Sequence, residues 1–198
     1  AAADLRKVED PSLEKAAATA ASAMLRGARG NSGVIFSQFV HGLARGFADK
    51  AQVSFADFAH AFNCAREDAY KAIVTPTEGT ILTVIREGAE FLENTAGSYD
   101  DPQEGFRALL GQMKITLART PDMLPVLKEA GVVDSGGAGI VYLFEGMKMY
   151  LDGQDPEAVI AEEGQTAAVD YDAFDREVNI TPVRVEKLLV PHIIDGEL

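Results

Sequence analysis

One cysteine, Cys64, and no tryptophan occur in the 198 residues. A lone cysteine excludes an internal disulfide and fits a reducing compartment, so the cytoplasm is the expected location. Long apolar runs are missing as well. None approaches the ~20 residues that a membrane-spanning helix needs, and no basic stretch followed by an apolar one marks a secretory leader. A soluble protein without membrane insertion is expected. Positive charge is scarce: 18 Lys and Arg stand against 31 Asp and Glu, a net charge of −13. With no basic patch to offset it, that balance repels nucleic acid and anionic membranes. Histidine is rare too, and His41, His60 and His192 have no Cys, His or carboxylate partner at metal-ligand spacing. The chain opens on Ala1 in place of methionine, which fits a processed or truncated N-terminus.

What is present is helical periodicity. Asp10-Pro11 reads as an N-cap followed by proline at the first helical position. Leu13, Ala17, Ala20, Met24 and Leu25 then keep helical spacing. A second stripe runs from Val34 to Phe47, and a third opens at Ser54 and runs to Tyr70. Others cover Ile81–Leu92, Phe106–Leu117 and Ile140–Tyr150, with a short segment at Met123–Ala130 and another in "DPEAVIAEE". The expected fold is an all-α, antiparallel up-and-down barrel or bundle of about eight helices. It spans residues 1–163. Residues 164–198 carry no useful helical stripe and read as a linker or arm, with a strand or hairpin in "TPVRVEKLLV", leading to a possible further domain. Cys64, set among Phe62, Ala65 and Ala69, reads as a buried, inert thiol.

Three joints share one chemistry: "GARGNSGV", "TPTEGTIL" and "VDSGGAGI". Each puts Gly, Ser or Thr at the first turn of an apolar helix. Helix N-termini carry unpaired N–H groups and a partial positive charge. Glycine admits close approach, so such turns suit anions. Taken singly, each is an ordinary loop and cap. In an up-and-down bundle the second and fourth helices start at one end. The helix after "DSGG" joins them if Met123–Ala130 is an elbow that does not cross the bundle. Arg26 and Arg29 flank the first joint, where arginine is also favoured simply as a solvated helix C-terminus.

The blocks "GARGNSGVIFSQFVHGLARGF", "PTEGTILTVIREGAE" and "GVVDSGGAGIVYLFEGM" closely resemble the nucleotide-binding domain shared by dihydroxyacetone kinase L subunits and the bacterial fatty acid kinase A subunit. That family is also labelled Dak phosphatase. The resemblance covers about Pro11 to Leu151, and "ARGNSGVI" and "DSGGAGI" favour the fatty acid kinase branch. It implies the DhaL-like eight-helix barrel with ATP or ADP bound at one end. Gly30, Asn31, Ser32 and Gly33 match the loop over the phosphates, with Gly33 facing them. Thr80 matches a second block, and Asp134, Ser135, Gly136 and Gly137 match the turn lining the nucleotide pocket. Asp134 is either a nucleotide or metal-water contact or an N-cap.

The family's Asp-rich segment, of the form D-G-D-T-G-x-N, has no match in Ala1–Asp10, and neither Asp4 nor Asp10 has its spacing. Its aspartates hold Mg²⁺ on the phosphates, so the resemblance places the metal ligands upstream of Ala1 and none in this chain. The expectation is an ATP-dependent kinase domain, inactive as this piece alone. It transfers the γ-phosphate to a substrate on a partner, a fatty acid on a DegV-like subunit ahead of dihydroxyacetone, with the catalytic residues unassigned. Homodimerisation stays open. The alternative is a non-catalytic nucleotide-binding or scaffold domain that has lost the metal loop.

Overall fold

The computed structural model describes residues 1–9 and 12–154. Among them the chain is all-α, with eight α-helices and no strand. These are α1 (Ala2–Leu5), α2 (Leu13–Gly27), α3 (Gly30–Gly46), α4 (Phe55–Lys71), α5 (Ile81–Thr95), α6 (Pro102–Met123), α7 (Pro125–Ala130) and α8 (Ser135–Leu151). A 3-10 turn at Ala96–Ser98 links α5 to α6. From α2 to α6 each helix packs on the next, and α8 lies against α5 and α6. The expected bundle is therefore present. "DPEAVIAEE", the strand or hairpin and the 164–198 arm lie outside the described residues.

Several boundaries differ from the sequence pattern. The one-turn α1 has no periodicity to announce it. Asp10 and Pro11 lie outside the described residues, and the cap of α2 is Ser12, whose hydroxyl accepts the Lys15 N–H at 3.3 Å. Helix α6 runs through Pro121 to Met123. Proline lacks the N–H that would bond the carbonyl four residues back. That carbonyl, on Leu117, instead accepts the Thr120 hydroxyl at 2.8 Å, which lets the helix continue.

Helix α4 begins with a reciprocal capping box. The Ser54 hydroxyl accepts the Asp57 N–H at 3.1 Å, and the Asp57 carboxylate accepts the Ser54 N–H at 3.0 Å. Ser54→Ala removes one half of this pair. It should lower unfolding stability by about 1 kcal/mol, read from a shifted urea midpoint at constant slope.

The core is aromatic at its centre. Phe39 of α3, Phe62 of α4 and Phe144 of α8 are at most 1 % exposed. Phe39 and Phe62 meet edge to face at 5.2 Å, and Phe62 and Phe144 do so at 5.9 Å. Phe106 of α6 stacks on Phe144 at 5.5 Å. Such pairs add ~0.5–1.5 kcal/mol each beyond their buried area, and they join four helices at one point.

Helices α3 and α4 pack most closely. A side-chain carbon at Gly42 would stand 2.5 Å from the Cys64 carbonyl oxygen, and one at Gly46 would stand 2.6 Å from the Ala61 side chain. No helix among the described residues is long and apolar enough to cross a membrane.

Candidate functional site

The starts of α3, α5 and α8 meet at one end of the bundle. The short α7, capped by Gly131 in a left-handed conformation (φ 68°), turns the chain back so that α8 begins where α6 ends. A cleft of about 200 Å³ lies between the three starts, lined by Asn31, Ser32 and Ile35, by Ile73, Thr75, Thr77, Thr80, Ile81 and Leu82, and by Asp134. The convergence is tight. A methyl group on Gly136 would lie 3.3 Å from Ile81 Cβ, 3.4 Å from Ser32 Oγ and 3.2 Å from Asp134 Oδ2.

A larger hollow, of about 650 Å³, is lined by Phe58, Phe106 and the exposed face of α8 from Tyr142 to Leu151. No charged side chain lines it. The chemistry that can orient a polar ligand is in the smaller cleft, which has an aliphatic floor and a rim of hydroxyl, amide and carboxylate groups. Its volume is below the ~300–1,000 Å³ of drug-sized ligand sites. It suits one end of an extended ligand, a phosphate group for example.

The three starts are not equivalent. Thr80 caps α5: its Oγ1 accepts the Leu82 N–H at 3.3 Å and donates to the Thr77 carbonyl at 2.7 Å. Asp134 caps α8, its Oδ2 accepting the Gly137 N–H at 2.6 Å. The capping role open in the sequence is therefore real. Helix α3 starts without any side-chain cap. Its preceding residue, Arg29, is extended, and Gly30 takes a left-handed φ of 63°. The exposed first turn of α3, at Gly30, Asn31 and Ser32, thus keeps N–H groups that no side chain caps.

Of the expected site residues, Asn31, Ser32, Thr80 and Asp134 line the cleft. Gly30, Ser135, Gly136 and Gly137 belong to the same turns but do not line it. Gly33, in the first turn of α3, does not line it either; a methyl group there would rest 3.5 Å from the Ala28 Cα, an ordinary contact.

Sequence reasoning missed Ile35, Ile73, Thr75, Thr77, Ile81 and Leu82 as cleft residues. Four of them, Thr75, Thr77, Ile81 and Leu82, stand in "TPTEGTIL", where two threonines flanking a proline are the available signal.

Behind the cleft, the carboxylate of Glu78 is held from three sides. It accepts from the Tyr70 hydroxyl at 3.0 Å, the Thr83 hydroxyl at 2.6 Å and Arg86 at 3.1 Å. Burial pushes the Glu78 carboxyl up, but these three donors outweigh it and hold the pKa below the usual carboxylate range. Burial together with the Glu78 charge pushes the Tyr70 phenol up to about 12. The network is therefore ionised at Glu78 and neutral at Tyr70 around pH 7.

Neither flanking arginine lines the cleft. Arg26 donates to Ser22 at 2.6 Å and to Asp4 at 3.3 Å, and Arg29 donates to the Ala28 carbonyl at 2.7 Å. His41 and His60 find partners, while His192 lies outside the described residues. His41 Nδ1 lies 3.0 Å from Asp68, and His60 Nε2 lies 3.7 Å from the buried Cys64 thiol. Helix pairing across α3 and α4 made the first contact, and one helical turn made the second. Among the described residues, no group of three His, Cys, Asp or Glu side chains could hold a metal ion. Asp134 is the one carboxylate lining the cleft; Mg²⁺ on a nucleotide is held by one or two carboxylates, with phosphate oxygens and water completing its shell.

Residues 1–149 match the model of the DAK2 domain family. An uncharacterized protein of Staphylococcus saprophyticus is 42% identical over 136 residues, which is 69% of this chain and 25% of the relative. Uncharacterized proteins of Staphylococcus aureus are 38% identical over 156 residues, 79% of this chain and 27% of theirs. The chain thus spans about a quarter of the length of the curated relatives it matches.

Proposed function

The chain belongs to the DAK2 domain family, and from that premise we propose that it is the ATP-binding domain of a kinase, with the polyphosphate end of the nucleotide in the cleft between α3, α5 and α8. The observation that carries this reading is the uncapped, glycine-opened start of α3 facing two capped starts across one hydroxyl-lined cleft. Phosphate oxygens would take the free N–H groups of the Gly30–Ser32 turn. The hydroxyls of Ser32, Thr77 and Thr80 would supply neutral hydrogen bonds. Asp134 would stand at the cleft wall as a cap and as an acceptor for metal-bound water.

No Lys or Arg lines the cleft, while a triphosphate carries several negative charges. Asp134 is the one carboxylate that lines it. In the parent protein, Mg²⁺ would be held by an Asp-rich segment upstream of Ala1 and would neutralise phosphate charge.

The acceptor we propose is a fatty acid presented by a DegV-like subunit, ahead of dihydroxyacetone. Support for it is the likeness of "ARGNSGVI" and "DSGGAGI" to the fatty acid kinase branch. A carboxylate oxygen would attack the γ-phosphorus, the bond to the bridging oxygen would break, and acyl phosphate and ADP would leave. This domain's part would be to position the nucleotide.

Calorimetric titration with ATP, with and without Mg²⁺, tests the reading on two proteins. The 198-residue chain should bind weakly with little Mg²⁺ dependence and transfer no phosphate. The full-length protein should bind Mg·ATP tightly and transfer phosphate only when the acyl-carrying subunit is present. Tight Mg²⁺-dependent binding by the short chain would place the metal ligands within it. A full-length protein that ignores Mg·ATP would overturn nucleotide binding altogether.

A further inference from the structure

We propose that the buried threonines Thr83 and Thr120, neither of which lines the cleft, are positioning residues that set two of its three turns. The proposal rests on the nucleotide reading above for its consequence, but not for its geometry.

Both side chains are 0 % exposed, an unusual place for a hydroxyl. Both use it in the same way. Thr83 Oγ1 gives its proton to Glu78 Oε2 at 2.6 Å and accepts the Gly79 N–H at 2.7 Å. Thr120 Oγ1 gives its proton to the Leu117 carbonyl at 2.8 Å and accepts the Asp134 N–H at 3.1 Å. In each case the donated bond fixes the hydroxyl rotor, and a lone pair then points at one backbone N–H of a turn.

The two turns need such anchors. Gly79 has a left-handed φ of 79°, and a side-chain carbon there would stand 2.9 Å from Leu124 Cβ. No side chain fits at that point of the Thr77–Thr80 segment. The Gly79 N–H is buried and costly to leave unpaired. Asp134 must be held at the end of a four-residue connection from α7 if it is to cap α8 and also wall the cleft. Thr120 supplies that hold from α6, at the point where Pro121 has freed the Leu117 carbonyl.

Valine is close in shape to threonine and lacks the hydroxyl; serine keeps it. The test compares Thr83→Val, Thr83→Ser, Thr120→Val and Thr120→Ser in the full-length protein. One readout is deuterium uptake of peptides covering residues 77–80, 132–135 and, as control, 55–71. The other is ATP affinity in the presence of Mg²⁺.

Each valine variant should raise uptake severalfold at its own turn and leave 55–71 unchanged. It should also weaken ATP binding about tenfold, the effect of one lost buried hydrogen bond of ~1.4 kcal/mol. Each serine variant should restore both readouts.

Valine variants whose turns exchange as in wild type would overturn the proposal. So would uptake rising equally in 55–71, or a valine variant that fails to fold, since either would make the threonine a general structural residue. Wild type that binds no ATP would sink the nucleotide reading and leave the exchange comparison to decide the positioning.

Discussion

Gly136→Val is expected to weaken ATP binding by the full-length protein at least a hundredfold while shifting its melting temperature little. The first side-chain carbon alone would stand 3.2 Å from Asp134 Oδ2, 3.3 Å from Ile81 Cβ and 3.4 Å from Ser32 Oγ. Those atoms belong to the α8, α5 and α3 starts respectively. Contacts this short require each neighbour to give by a few tenths of an ångström. The two further carbons of valine have to enter the space between the three turns, which is the cleft. The fold itself has less to lose. Gly136 is half-buried in the first turn of α8, and valine is a better helix former than glycine by a few tenths of a kcal/mol. A hundredfold loss corresponds to about 2.7 kcal/mol. Gly136→Ala should fall between wild type and valine. Isothermal titration beside thermal melting separates the two effects. Wild-type affinity in Gly136→Val would remove the α8 start from the site.

The convergence that makes Gly136 sensitive was partly legible in the sequence. Three helix starts of like composition, together with the alternation of an up-and-down bundle, bring α3 and α5 to one end. The place of α8 depended on whether Met123–Ala130 crosses the bundle. The structure makes that segment the six-residue α7 and starts α8 at the shared end. What composition could not show is the difference between the three starts. "GNSG", "EGT" and "DSGG" look alike as strings. Yet Thr80 and Asp134 direct their side chains to their own helices, and α3 is left without a cap. A cap is a rotamer and a backbone angle, and neither is written in a residue type.

Buried polar contacts were less legible still. Thr83 and Thr120 lie within apolar stripes where threonine passes for a surface residue, and their partners are 4 and 14 residues away. The first of these partners is one helical turn away, within a local motif. Thr120, which makes the second contact, stands beside Pro121 within α6, four residues past Leu117, where the apolar stripe stops. Proline's missing N–H is visible in the string. Its consequence, a freed Leu117 carbonyl taken by the neighbouring Thr120 hydroxyl, needs coordinates. Gly42 and Gly46 stand in "FVHGLARGF", but nothing in that string says that they face α4.

Gly42→Leu should leave no cooperatively folded protein at 25 °C, and Gly42→Ala should cost about 1–3 kcal/mol of unfolding free energy, as overpacking does. A side-chain carbon at Gly42 would overlap the Ala65 Cα and lie 2.5 Å from the Cys64 carbonyl oxygen and 2.7 Å from the Ala65 nitrogen. These are main-chain atoms inside α4, so no rotamer change relieves the overlap. Helices α3 and α4 have to move apart. One turn on, Gly46 meets Ala61 in the same way, so separation at one glycine opens the other. The Phe39–Phe62 contact bridges these same two helices at 5.2 Å and would be pulled apart with them. For leucine, three further carbons add to the overlap, against a total stability of ~5–15 kcal/mol for a typical domain. The control is Gly111→Ala. Gly111 is exposed in α6 with nothing near its missing side chain, so alanine there should stabilise by ~0.5–1 kcal/mol through helix propensity alone. Urea denaturation of the three variants reads both signs on one scale. Equal midpoints for Gly42→Ala and Gly111→Ala would mean that α3 and α4 do not pack through their backbones. The shared end of the bundle would then lose the support that holds Asn31 and Ser32 in place.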